Sequence, residues 1–256
     1  MKRIISYNVN GIRAAENKGL SSFLLEQGAD VVCFQELKAE KEQINVALYE
    51  NLGYHCFWHS AEKKGYSGVG LLTKEKPKHI EVGCGTDWID REGRIIRADF
   101  DNYSVISVYI PSGSSGEERQ DLKMVFLDFF RTYIKDLSKE FPRLVISGDY
   151  NICHQAIDIH DPIRNAGMSG FLPEERAWFT DFLADGYVDS FRQKHPAEKN
   201  HYSWWSYRMN ARANNKGWRI DYHILTEALG PYLKNASILP QAHHSDHCPV
   251  VVELDI

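Results

Sequence analysis

Apolar residues fall along this chain in two rhythms, short unbroken runs and longer stretches at helical spacing. Runs at 3–9, 31–34, 54–59, 68–73, 94–100, 103–110, 144–147, 219–225 and 247–254 predict strands. Residues 31–34 are apolar throughout, which predicts a central strand covered on both faces. Asp101 and Asn102 predict a tight hairpin turn, and the glycines of 65–68 a longer one. Leu20, Phe23 and Leu24 share one face of a helix over 14–27, with Gly28 as its stop. Leu122, Val125, Phe126, Phe129, Phe130, Tyr133, Ile134 and Leu137 repeat as the buried stripe of a long amphipathic helix over 119–137. Pro173, Glu174 and Glu175 suit the start of a third helix that reaches about Asp185. Many strands, few helices and several hairpins predict α/β layers over a single domain, 1–256, with two sheets face to face and helices outside.

Polar residues gather where these strands end. Leu144 to Ser147 lead into Gly148, expected to turn the backbone, and then into Asp149 and Asn151. Those letters serve equally for an Asx-turn that closes a loop and for a site that presents two polar groups. Glu36 follows a buried run, where a carboxylate is expensive unless it is exposed or meets a cation. It reads either as a metal ligand or as a solvated carboxylate opening the following helix. Asn8, Tyr109, Asp221 and Ser245-Asp246-His247 hold comparable positions. Alone, His247 reads as a turn cap, and His243 and His244 read as exposed loop residues. Together, hard oxygen donors with one imidazole and one phenol suit Mg²⁺ or Mn²⁺ and phosphoryl transfer to water.

Composition narrows the partners. The 256 residues are 43% hydrophobic, enough for a sizeable core, and the formal net charge of -5 provides no overall positive field. A polyanion site must therefore be local. Residues 199–220 contain no Asp or Glu, and there Lys199, Arg208, Arg212, Lys216 and Arg219 interleave with Tyr202, Trp204, Trp205, Tyr207 and Trp218. Cations match phosphates and flat rings match bases or sugars; the alternative is a tryptophan core with a solvated rim, and Trp205 falls in phase with core positions. Five scattered cysteines with no C-x-x-C pair suggest neither a disulfide framework nor a cysteine zinc site, and fit a reducing cytoplasm. Ile4-Ile5 gives way at once to Ser6-Tyr7-Asn8, so no secretory leader is expected, and no run approaches the ~20 apolar residues of a membrane span.

Seven strings now stand in order: 8–13 (NVNGIR), 35–38 (QELK), 109–111 (YIP), 148–151 (GDYN), 171–176 (FLPEER), 218–222 (WRIDY) and 245–249 (SDHCP). The series resembles the exonuclease III family of apurinic/apyrimidinic (AP) endonucleases over essentially the whole chain. The resemblance implies a four-layered α/β sandwich and Mg²⁺-dependent cleavage of double-stranded DNA 5′ to an abasic site. It also implies some 3′-phosphodiesterase or 3′-to-5′ exonuclease activity on blocked 3′ ends. The expected setting is a monomer in a bacterial-type cytoplasm, associated with the nucleoid. Residue by residue, it makes Glu36 the principal metal ligand with Asn8 and Asp246 near the same ion, and sets Asp149, Asn151 and His247 around it. Asp149 would bind or deprotonate the water, Asn151 hold the nucleophile, Tyr109 donate to the phosphate, and Asp221 orient His247. Lys38 would lie near the metal shell on the DNA side, with Arg208 and Arg212 on the DNA. Trp204, Trp218 and Ile220 would receive the abasic deoxyribose. Two positions depart from many members: Asn10, where others have Asp, and Ser112, where others have Asn. Related phosphodiesterases acting on inositol phosphates, sphingomyelin or intact DNA share the Asn, Glu, Asp-x-Asn and Asp-His positions; the strings at 172–176 and 218–222 look like the DNA-repair branch.

Overall fold

Twelve strands form in the computed structural model, which describes residues 1–256. They are β1 (Lys2–Asn8), β2 (Val31–Gln35), β3 (His55–His59), β4 (Val69–Thr73), β5 (His79–Val82), β6 (Ile95–Asp99), β7 (Ser104–Tyr109), β8 (Leu144–Asp149), β9 (Tyr187–Asp189), β10 (Asp221–Thr226), β11 (Leu233–Ile238) and β12 (Val250–Leu254). They pair into two six-stranded sheets, ordered β11-β12-β1-β2-β4-β3 and β5-β6-β7-β8-β10-β9. Each sheet has one parallel pair, β1 with β2 and β7 with β8, and each pair is bridged by helix, as a parallel crossover requires. The helices are α1 (Ile12–Glu16), α2 (Leu20–Gln27), α3 (Val46–Glu50), α4 (Asp87–Asp90), α5 (Glu117–Glu140), α6 (Pro173–Ala184) and α7 (Ser190–Lys194). None is long and apolar enough to cross a membrane.

Three apolar clusters show the layering. Ile4, Cys33, Leu71, Val105, Val145 and Val252 fill the space between the sheets. Their strand neighbours Ile5, Val32, Phe34 and Leu72 face α1 to α3, and Ile106, Ile146 and Ile224 face α5 and α6. Strands covered on both faces read as unbroken apolar runs, which is why they stood out in the sequence. The expected four layers are present, with three local differences. The helix expected over 14–27 is two, because Gly19 at φ 88 turns the chain between α1 and α2. The buried face of α5 comprises Lys123, Phe126, Leu127, Phe130 and Ile134, while Val125 is 59% exposed. Gly148 does not turn the chain: β8 runs on to Asp149, and a Cβ on Gly148 would lie 1.9 Å from the Val108 carbonyl oxygen of the paired strand. Close approach of two backbones, and not left-handed torsion, demands glycine there.

The interlayer is graded along its length. Apolar at one end, it becomes polar but bonded at Ser6, Gln35, Ser107, Ser147 and His223. Gln35 Nε2 donates to Ser107 Oγ (3.0 Å), which donates to the Phe34 carbonyl (2.9 Å). His223 bridges the sheets, its Nε2 donating to the Val250 carbonyl (3.0 Å) while Nδ1 accepts from Ser147 Oγ (2.7 Å). Burial holds its pKa down to about 4, against a weaker upward pull from the carbonyl. The folded state thus binds fewer protons than the unfolded chain, so His223 contributes stability that is full above about pH 6.5 and is lost as pH falls toward 4. Urea unfolding at pH 7 and pH 5 should show His223→Gln losing less stability than the parent over that interval, by on the order of 2 kcal/mol. Equal losses in the two proteins would contradict a neutral, buried imidazole.

Candidate active site

Two residues beyond the bonded polar belt, the same strands deliver the site. Asn8 follows Ser6 on β1, Tyr109 follows Ser107 on β7, Asp149 follows Ser147 on β8, and Asp221 precedes His223 on antiparallel β10. Period-two alternation places each on the face of its belt residue. Glu36 is the first residue past β2. Backbone bonds lace the loops: Gly11 donates to the Glu36 carbonyl (2.8 Å), Ile12 to Leu37 (3.0 Å) and Lys38 to Ser67 (2.8 Å). Asn10, Glu36, Lys38, Ser67 and Asn151 all have φ between 44 and 52. Left-handed torsion costs roughly 1–2 kcal/mol for most side chains, and such strain concentrates at functional sites.

Three side chains are aimed by bonds to the backbone two residues on. Asp149 Oδ1 accepts from Asn151 N (2.8 Å), Asn8 Oδ1 from Asn10 N (3.0 Å) and Ser245 Oγ from His247 N (3.2 Å). The Asx-turn reading of Asp149 is therefore correct for one oxygen, while the other, Oδ2, faces the site. Asn8 Nδ2 donates to Asp149 Oδ2 (2.8 Å) and to Glu36 Oε1 (2.9 Å), spanning the two sheets. His247 Nδ1 lies 2.9 Å from Asp221 Oδ2, which leaves Nε2 3.9 Å from Asp149 Oδ2. Asn151 Nδ2 donates to the Ile110 carbonyl (2.9 Å). Ligand atoms of Glu36, Asp149 and His247 all fall within 4.8 Å of one another.

The charges are strongly coupled. Burial, reinforced by Asp221, pushes Asp149 up to about 8 in spite of His247. Burial alone would lower His247, but Asp221 and then Asp149 outweigh it and carry the imidazole up to about 10. Asp221 Oδ1 is buried without a partner, while Oδ2 faces the His247 ring. Burial opposes ionisation of Glu36 as well, yet Lys38 and Asn8 hold its carboxyl below the usual range. Tyr109 is pushed well above the ordinary phenol value by burial and by Glu36 and Asp149, so it is a neutral donor. Arg94 fixes it, with the guanidinium 4.9 Å over its ring and Nη1 donating to its carbonyl (2.8 Å).

Other expected site residues divide. Lys38 Nζ lies 2.7 Å from Glu36 Oε2 and also donates to Asn10, whose Nδ2 donates to Asp246 Oδ1 (2.8 Å). Asp246 Oδ2 accepts from Trp204 Nε1 (3.0 Å), so Asp246 joins the group of Glu36, Asp149 and His247 through Asn10 and Lys38 and is not one of its three close members. Ser112 pairs with Ser114 in an exposed turn. Trp204 and Trp218 meet edge to face at 5.9 Å beside His247 and pack on Phe171 and Ile220. Within the acid-free stretch, Arg208, Lys216 and Lys199 are exposed, but Arg219 is not a surface cation. It is 1% exposed and paired with Asp158 and Asp189 (2.8 and 2.7 Å), acids that lie outside the stretch. Arg212 stacks 4.7 Å over Trp205 and donates to the carbonyls of Pro240, Ala242 and Ser245, holding the loop before His247. Trp205 and Tyr202 are core. His243 is exposed as expected; His244 is half-buried against Tyr7 and Phe23. Not foreseen were Arg94 and the buried ion pair of Lys123 with Glu175. Lys123 carried a signal, since it falls in phase with Phe126, Leu127, Phe130 and Ile134.

Carboxylates supplied by two stacked sheets, one imidazole fixed by a carboxylate and a neutral phenol define a class, the layered α/β hydrolases that act on phosphate esters. The carboxylate oxygens are hard donors, which fit a divalent cation, and Glu36 and Asp149 are placed to hold one; Asn8, expected near the ion as a ligand, instead turns its amide nitrogen to both carboxylates and orients them. The chain belongs to the Endonuclease/Exonuclease/phosphatase family, whose model matches residues 5–247, and within it to the exodeoxyribonuclease and AP endonuclease group of DNA-repair nucleases. It is 41% identical to an exodeoxyribonuclease of Bacillus subtilis, covering 99% of this chain and 100% of that one. It is 38% identical to the DNA repair nuclease APEX1 of Danio rerio, over 99% of this chain and 82% of that one. Among solved structures, an AP endonuclease from Archaeoglobus fulgidus superposes with a TM-score of 0.92 at 29% identity, over 100% of both chains. A 3′ phosphatase from Neisseria bound to a product DNA hairpin superposes with 0.93 at 27%, again over 100% of both.

Proposed function

We propose that this enzyme hydrolyses the phosphodiester 5′ to an abasic site in double-stranded DNA, with Mg²⁺ as its ion, and trims blocked 3′ ends with the same groups. The observation that carries this reading is adjacency: His247 stands beside the Glu36 and Asp149 carboxylates on one side and abuts the apolar cluster of Trp204, Trp218 and Ile220 on the other. A nucleotide without its base forfeits little stacking when it leaves the duplex, and a tight apolar pocket excludes an intact base by shape. Similar superposition on an AP endonuclease and on a 3′ phosphatase does not separate the two activities, so the pocket bears the distinction.

Mg²⁺ bound at Glu36, with Asn8 orienting that carboxylate toward Asp149, would offset charge on the phosphate oxygens. Asp149 Oδ2 is the base that holds and deprotonates the attacking water. The new bond joins the water oxygen to phosphorus and the bond to the 3′ oxygen breaks, that oxygen taking a proton from solvent, which leaves a 3′ hydroxyl and a 5′ deoxyribose phosphate. His247, kept cationic by Asp221, and the neutral Tyr109 hydroxyl donate to the phosphate oxygens; the Asn151 side chain positions the water. Lys38 and exposed Arg208 lie toward the duplex.

Incision of an abasic duplex, an undamaged duplex and a 3′-phosphate end, each with and without chelator, tests the reading. Abasic incision that survives chelation, or that is no faster than cleavage of undamaged duplex, contradicts it. Trp218→Ala should cut abasic incision and reduce the preference for abasic over undamaged DNA, with the Mg²⁺ dependence unchanged. If both substrates lose equally, Trp218 is only core.

A further inference from the structure

Beneath the site lies an ion pair that the chemistry above does not use. Lys123 of α5 and Glu175 of α6 are both fully buried, with Nζ 2.5 Å from Oε1. Lys123 Nζ also donates to the carbonyl oxygen of Asn151 (2.8 Å), the residue held at φ 52. Glu175 Oε2 accepts from the backbone of Gly170 (2.6 Å) and Leu172 (3.0 Å), and Gln120 Nε2 donates to Oε1 (3.1 Å). Gly170 in turn is in close contact with the Trp218 ring and the Asn151 carbonyl, where an added Cβ would meet both at 2.9 and 3.0 Å. One buried pair therefore grips the backbone of Asn151 and, through 170–172, the floor under Trp218.

We propose that Lys123 and Glu175 are positioning residues that fix the strained Asn151 backbone, and so its side chain, for turnover. The proposal rests on the reading of Asn151 as a group that positions the attacking water. A buried ion pair is weak support for stability, because an isosteric neutral pair often folds as well; breaking one partner alone is what destabilises. Its distinctive property is direction, since Lys123 spans a carboxylate and one carbonyl at fixed distances. Displacement of a reacting group by an ångström is enough to cost about 10²-fold in rate.

The test replaces the pair together, Lys123→Met with Glu175→Gln. The amide introduced at position 175 keeps a carbonyl acceptor for Gly170 and Leu172, while the charge and the donor to Asn151 are removed. On abasic duplex, kcat per active enzyme should fall at least ~10-fold with KM little changed, while the melting temperature stays at or above that of the parent. In an Asn151→Ala background the same double replacement should cost almost nothing more, because the group it positions is gone. Losses that multiply in the two backgrounds, a kcat equal to the parent's, or a fall explained by the unfolded fraction would each overturn the proposal. The parent in the same assay separates the two levels. If it does not incise abasic DNA, the functional reading fails; if it does and the double replacement matches it, only the positioning role fails.

Discussion

Asp149→Asn and His247→Ala are each expected to lower kcat on abasic duplex by at least ~10²-fold with DNA binding largely retained. Asn at 149 keeps the acceptor that closes the turn to Asn151, so the strand end should hold its shape while the base at Oδ2 is lost. His247→Ala removes the cation that lies 2.9 Å from Asp221 and 3.9 Å from Asp149, leaving two carboxylates with their repulsion unrelieved. Because these groups act as one unit, the double variant should be little worse than the poorer single one. Single-turnover rates with the four proteins measure this directly; a double loss equal to the product of the two single losses would mean that they act independently.

Glu36→Ala should abolish turnover at low Mg²⁺ and recover part of it at high Mg²⁺, because a missing ligand weakens ion binding before it removes the base. The substitution also frees the Lys38 ammonium and one Asn8 contact, neither of which supplies an oxygen to the ion. Titration of kcat with Mg²⁺ should show the midpoint displaced upward in the variant and unchanged in Trp218→Ala. Full activity of Glu36→Ala at low Mg²⁺ would remove the residue from the ligand set.

What the sequence disclosed depended on how locally each feature is encoded. Val31 to Phe34 and Val145 to Ile146 announced buried strands, since coverage on both faces is written in consecutive letters. The polar residues at strand ends were found for the same reason. Short elements such as β9 and β11 went unseen: Tyr187–Asp189 is three residues long, and Leu233–Ile238 has two exposed positions in its middle. Gly148 was seen but misread, because a glycine for close approach and a glycine for a turn are the same letter. Arg219 was misplaced because its partners, Asp158 and Asp189, are distant in sequence and an acid-free window looks cationic whether or not acids fold against it. Lys123 was overlooked where periodicity could have exposed it, a charged residue in phase with a buried stripe.

The site is divided between the sheets, with Asn8 and Glu36 on one and Tyr109, Asp149 and Asp221 on the other. The spacing between its halves is consequently set by the side chains sandwiched behind it, Ile4, Cys33, Val105 and Val145 among them. That layer works as a gauge block. A change of one methylene there would shift one set of oxygen donors against the other while every residue that meets DNA stayed the same. Evolution can thus retune ion affinity and rate from a region that no substrate touches, and selection on activity reaches into packing that stability alone would leave free to drift.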